Sequence, residues 1–232
     1  KRVKITIPKI GERLKLSELV TKNALANLER KHSTQRNLLH LHLKLKEIFQ
    51  LQKTPREIEI YDNSHISGSN MVGAMVKANL DGFVKKQYRK YNIKSEIASG
   101  DDYAMLKEVL TRRFKRLQKE DPENKNKSWP DLLIIDGGIG QKTQLLRIFK
   151  QLKISLDFIC ISKGKERILG KERFCNSIEN YFHISDKELL FYLQRLRDEA
   201  HNFAITSMRK KAQKNINISE LDQIPGIGAK RK

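Results

Sequence analysis

The sequence predicts a mixed-sheet α/β fold in the order β-β-β-α-β-α-β-α, and three observations carry it. "EIEIYDN", from Glu57, alternates Ile58 and Ile60 with Glu57 and Glu59, the two-residue period of a strand. Asp81-Gly82, between two strand-like runs, is a hairpin signal. Leu132 to Ile135 is a continuous apolar run, as a central strand buried on both faces reads. Three antiparallel strands followed by alternating helix and strand give a five-stranded mixed sheet flanked by helices.

Residues 1–56 hold 14 Lys/Arg and 4 Glu. Leu16, Leu19, Val20, Leu25 and Leu28 recur at helical spacing and predict a helix from Leu16 to roughly Gln52. Pro55 closes it, because the residue before a proline is pushed out of the helical basin. This is a basic helical arm packing on the domain that follows; a charged helix with no further role is the plainer alternative. Strand one opens at Glu57. "MVGAMVKANL" (71–80) is strand two and "FVKKQYRKYNI" (83–93) strand three, antiparallel to it. Gly100-Asp101-Asp102 opens a helix with Asp101 as N-cap and Met105, Leu106, Val109 and Leu110 as its apolar stripe. Strand four is the Leu132–Ile135 run. Gly140 leads into a helix to about Leu152, and "DFICIS" (157–162) is strand five. Residues 164–182 read as an irregular basic loop or hairpin, and 186–214 as one long helix. Three units follow: the arm 1–56, a domain 57–214, and a separate motif 215–232.

Composition narrows the function. The 232 residues carry a net charge of +20, which favours a polyanion partner, nucleic acid before an anionic membrane. No window approaches ~20 consecutive apolar residues, so no membrane span is expected. The basic N-terminus lacks the apolar core of a signal peptide. Cys160 and Cys175 are too few for a Cys-rich zinc site, and a reducing, cytoplasmic setting fits them. The sequence starts without Met and is expected to be a piece of something longer.

Asp62 ends strand one and Asp136 ends strand four. A crossover that returns strand four beside the opening meander makes these strands parallel neighbours. About 5 Å of strand spacing then puts both carboxylates on one cation. His201, in "RDEAH" of the last helix, can drop onto the same spot. Each residue has an ordinary use alone: Asp136 in a turn, Asp101 or Asp102 as a cap, His65 in a turn, His201 in packing. Two strands ending in Asp at one sheet edge weigh against coincidence, because clustered carboxylates repel and need a cation. Hard oxygen donors favour Mg²⁺ or Mn²⁺.

"DGGIGQKT" is not a nucleotide loop: Gln141, not Gly, precedes Lys142-Thr143, and the third dinucleotide glycine is missing. No nucleotide cofactor is expected. Pro225-Gly226-Ile227-Gly228 followed by Lys230 and Arg231 has the physics of a DNA-backbone reader, glycines allowing close approach to a phosphate. Arg89 and Lys90, with Tyr88 and Tyr91 beside them, are a further basic face.

"YDNSHISG", "YRKYNIK", "GDDYAML", "PDLLIIDGGIGQ" and "RDEAHNFAI", in this order, closely resemble the C-terminal half of the UvrC family, the nuclease subunits of bacterial nucleotide excision repair. The resemblance covers about residues 1–214, and residues 219–232 are similar to the first hairpin of that family's tandem helix-hairpin-helix domain. It implies a ribonuclease H-like fold and a metal-dependent endonuclease that cuts the damaged strand of DNA on the 5′ side of a lesion. Asp62, Asp136 and His201 match the family's catalytic Asp-Asp-His set, and Asp102 a further acid of that incision. On the same matching Lys163 and His65 sit near the site. The implied partners are damaged double-stranded DNA and the UvrB–DNA pre-incision complex. The family's GIY-YIG nuclease, its UvrB-contacting segment and its second hairpin are absent from this sequence. Two rival readings are a non-catalytic DNA-binding scaffold and a ribonuclease H-type enzyme acting on RNA–DNA hybrids.

Overall fold

The computed structural model describes residues 7–66, 69–93, 101–126, 128–162, 172–182 and 184–216. Four helices pack on one sheet, in the order α1 (Gly11–Ile48), β1 (Glu57–Ile66), β2 (Ser69–Asn79), β3 (Gly82–Phe83), β4 (Arg89–Asn92), α2 (Asp102–Glu120), β5 (Leu132–Asp136), α3 (Ile139–Leu152), β6 (Asp157–Ser162), β7 (Arg173–Cys175) and α4 (Lys187–Ile216). The sheet runs β3-β2-β1-β5-β6-β7, with β4 also paired to β2. β1 and β2 are antiparallel, while β1–β5 and β5–β6 are parallel.

The alternation of side chains divides the core between two faces. Ile58, Ile60, Leu132, Ile134, Ile159 and Ile161 face α4 and the end of α1. Tyr61, Leu133, Ile135, Phe158 and Cys160 face α2 and α3. The expected apolar stripe of α2 is buried against this second face, and Asp101 caps the helix by accepting from the Ala104 N–H at 2.9 Å. Because both faces are covered, Glu59 is not on a wet side. It is fully buried, accepting from the Tyr61 hydroxyl at 2.6 Å and paired with Arg113.

Four elements differ from the sequence reading. Strand one does not end at Asp62 but runs on to Ile66, because β2 continues to pair with it there. The first helix starts at Gly11 and stops at Ile48, short of Gln52. Its N-terminal half is exposed, and only Leu41, His42 and Leu45, with Phe49 and Leu51 beyond its end, enter the core. Inside, the His42 Nδ1–H donates to the Pro55 carbonyl and the Tyr192 hydroxyl donates to Nε2, both at 2.7 Å. Strand three is split into β3 and β4 by a short 3₁₀ turn, Lys85–Gln87. It pairs only with β2, and a strand with one neighbour tolerates such a break. Within 164–182, Arg173–Cys175 forms a true strand, antiparallel to β6. The five expected strands keep their order; the sheet gains β7 and counts the broken third strand twice.

Candidate metal centre

The pairing register builds the site. Tyr61 lies opposite Ile135 in the parallel β1–β5 pair, so Asp62 and Asp136, one residue on, lie side by side. Each falls two residues after an isoleucine of the α4 face, Ile60 and Ile134, so both carboxylates project toward α4. α4 crosses β1 and β2 and brings His201 over them. Its Nδ1–H donates to the Asp62 carboxylate at 2.9 Å. One ligand atom from each of Asp62, Asp136 and His201 lies within 4.8 Å of the other two. A carboxylate only accepts, so the proton of neutral His201 sits on Nδ1 and Nε2 is left as an acceptor.

Burial pushes the Asp62 carboxyl above its usual range, and the nearby charge of Asp102 adds to this. The hydrogen bond and charge of His201 and the Asn63 backbone N–H pull the other way. Two oxygens and a nitrogen, two of them anionic, form a donor set that fits a hard divalent cation, and the repulsion it stores is what such a cation relieves. The turn after Asp136 is set by Gly137, whose φ of +155° a side chain rarely adopts and whose Cβ would strike Gln141. The Gln141 side chain accepts from the Gly138 N–H at 3.0 Å and so caps the first turn of α3.

A family described as the UvrC RNAse H endonuclease domain matches residues 46–205. The chain belongs to the UvrC family. It is 46% identical over its whole length to the UvrABC system protein C of Cereibacter sphaeroides and 48% identical to that of Zymomonas mobilis. It spans 38% and 35% of those relatives' lengths. The crystal structure of human ENDOV is similar at 13% identity and a TM-score of 0.44, covering 68% of this chain and 86% of that one.

The other expected site residues of this UvrC chain lie outside the ligand group or outside the described residues. Asp102 is the first residue of α2, on the opposite side of the sheet from α4. Its backbone carbonyl accepts from the Asn63 amide at 3.5 Å, and it lies outside the three-residue ligand group. Arg89 and Lys90 are on β4. Lys163, Gly226, Gly228, Lys230 and Arg231 lie outside the described residues, as does the side chain of His65.

One neighbour was not anticipated. Arg197, one turn before His201 on α4, is mostly desolvated, yet Asp198, Asp136 and Glu172 hold its guanidinium charged. The spacing i, i+4 in "RDEAH" was the available signal, since it puts Arg197 and His201 on one helix face. Lys142, in the stretch rejected as a nucleotide loop, lies in α3, points into the fold and donates to Asn180 Oδ1 at 2.8 Å.

Proposed function

We propose that this chain is a divalent-metal-dependent DNA endonuclease module of nucleotide excision repair. It hydrolyses a phosphodiester on the 5′ side of a lesion in the damaged strand of duplex DNA. The observation that carries the reading is the convergence of Asp62, Asp136 and His201 at one sheet edge in a chain of the UvrC family. Residues 57–214 are the proposed nuclease unit, 1–56 a basic arm and 215–232 the start of a helix-hairpin-helix motif.

The proposed cofactor is Mg²⁺ or Mn²⁺, held by Asp62 and Asp136. When bound, such an ion polarises the scissile phosphate and lowers the pKa of a coordinated water. Asp62 and Asp136 contribute the anionic oxygens. His201 has the donor side of its ring tied to Asp62, and its Nε2 accepts the proton of the attacking water. Asp102, matched through the family, is a further acid at the rear of the site. Arg89, Lys90, Lys163, Gly226, Gly228, Lys230 and Arg231 are proposed to hold the DNA backbone without reading bases. The relatives' name, UvrABC system protein C, supports a UvrB–DNA complex as the partner that supplies damage recognition.

The test is incision of a 5′-labelled duplex carrying one lesion, loaded with UvrB, with Mg²⁺ or EDTA, by this chain and its Asp136→Asn variant. The expected result is a metal-dependent cut 5′ of the lesion that the variant lacks. DNA binding with no cut, or an equal cut by the variant, favours the scaffold reading instead.

A further inference from the structure

A second cluster of positive charge lies away from the metal centre, on the α2 face of the sheet. A cavity of about 560 Å³ opens between β2, β4 and α2. Five cations face it, Lys77, Arg89, Arg112, Arg113 and Arg116, against two carboxylates, Glu57 and Glu120, and Lys90 borders it from the edge strand. Glu59 and Glu108 pair with Arg113 and Arg112 from outside the lining, and the balance of the five stays positive by one when both are counted.

The pairing shows which charges are structural. Lys77 is held by Glu57 at 3.0 Å, and Arg113 by buried Glu59. Arg116 meets only Glu120, an exposed pair, which is worth little. Arg89 donates to two backbone carbonyls, those of Lys86 and Tyr88, and among the described residues has no carboxylate partner. Arg89 and Arg116 therefore have donors to offer an incoming anion.

The register ties this cavity to the metal centre. Asp62 pairs with Ala74, and Ala74 with Lys90, so Lys90 shares a cross-sheet row and a face with Asp62. Two strand spacings separate them, about 10 Å. Arg89, the preceding residue, points to the opposite face and into the cavity. β4 pairs with β2 alone, so Lys90 and Arg89 straddle an open edge of the sheet. The one aromatic in the lining, Tyr91, has one face of its ring covered by Arg112 at 5.5 Å.

We propose that this cavity is a phosphate-binding groove that seats the nucleic-acid backbone one step beyond the metal centre, reached over the β4 edge. The ligand is a phosphodiester of either strand, bound without regard to sequence. This rests on the endonuclease reading for its substrate class but not on catalysis.

The experiment measures binding of a fluorescein-labelled 24-base-pair duplex in EDTA, between 50 and 200 mM salt, for three proteins. They are the unaltered chain, the groove variant Arg89→Gln/Arg116→Gln, and Lys115→Gln/Lys119→Gln, which removes two exposed charges of the same helix outside the groove. Each phosphate contact contributes about 0.9 to the slope of log K against log salt. The expected result is a slope shallower by about 2 in the groove variant alone, with an unchanged melting temperature. Equal slopes in all three, or an equal loss in both variants, overturn the groove. An unaltered chain that does not bind duplex at all overturns the nucleic-acid reading itself, and its metal-dependent cutting distinguishes that failure from failure of the groove. Inorganic pyrophosphate serves as competitor: displacement of the duplex only from proteins with an intact groove supports a phosphate site, and displacement equal in all three contradicts it.

Discussion

Asp62 and His201 stand 139 residues apart in the chain and 2.9 Å apart in the fold. The contact fixes the imidazole tautomer, holds a desolvated carboxylate in place and ties α4 to the metal-facing part of β1. His201 half-exposed on its outer side is then oriented to take a proton rather than to pack. Replacing it by Gln keeps two carboxylates for the cation and removes the acceptor. His201→Gln is expected to lower kcat about 10²–10⁴-fold with Mn²⁺ affinity within a few-fold of the original. A large loss of metal affinity would make His201 a ligand instead.

Asp62 also carries a cost. Burial disfavours its charged form and raises its pKa, so ionising Asp62 costs the metal-free fold more than it costs the unfolded chain. Asp62→Asn is expected to raise the melting temperature of the metal-free protein by about 2–4 °C, the shift of roughly 1 kcal/mol in a chain of this size. Stabilisation by added Mn²⁺ should vanish in the same variant. Calorimetric melting with and without the metal checks both.

His42 gives a pH dependence of the opposite sign to acid stabilisation. Burial lowers its pKa below the ordinary 6.5, against a raising hydrogen bond to Pro55. The unfolded chain therefore takes up this proton first as pH falls, so the contribution is complete above about 6.5 and is lost below it. Unfolding midpoints should drop between pH 7 and pH 5. The drop should be smaller in His42→Gln, whatever that variant's absolute stability.

The pair Glu59–Arg113 is the most exacting element behind the site. Glu59 is fully buried, and Arg113 is its charge partner. Arg113→Ala is expected to cost about 3–5 kcal/mol, because it leaves an uncompensated buried carboxylate. Glu59→Gln/Arg113→Ala together should cost less than Arg113→Ala alone, as urea unfolding of both variants would record.

Gly73 is a packing constraint. A Cβ there would collide with a methyl of Val109, where α2 presses on β2. Gly73→Ala should cost about 1–3 kcal/mol through overpacking, and Val109→Ala in the same chain should return part of it. Urea midpoints of the single and double variants give the coupling.

Much of the fold and of the ligand group was legible because it is written in local patterns. The apolar run Leu132–Ile135 and the alternation around Ile58 and Ile60 marked two strands. Asp62 and Asp136, one residue beyond the paired Tyr61 and Ile135, needed only the crossover rule to become neighbours. Glu59 was not legible: its polar period looked like a wet face, and what buries it is α2, a segment that begins more than forty residues later. The break at Lys85–Gln87 was missed, and Arg173–Cys175 was not singled out within its loop or hairpin, for a related reason. Edge pairing depends on partners elsewhere in the sheet, not on the residues of the short strand itself. Lys90 read correctly as basic surface. Only the register shows that it shares a row with Asp62 while Arg89 turns to the other face.

The central claim, that Asp62 and Asp136 form one cation site, is tested most directly by calorimetric titration of Mn²⁺ into the chain, Asp62→Asn and Asp136→Asn, each with a short duplex present. The account predicts a saturable heat for the unaltered chain that weakens at least tenfold in both variants. Heats of equal affinity in all three proteins would contradict it.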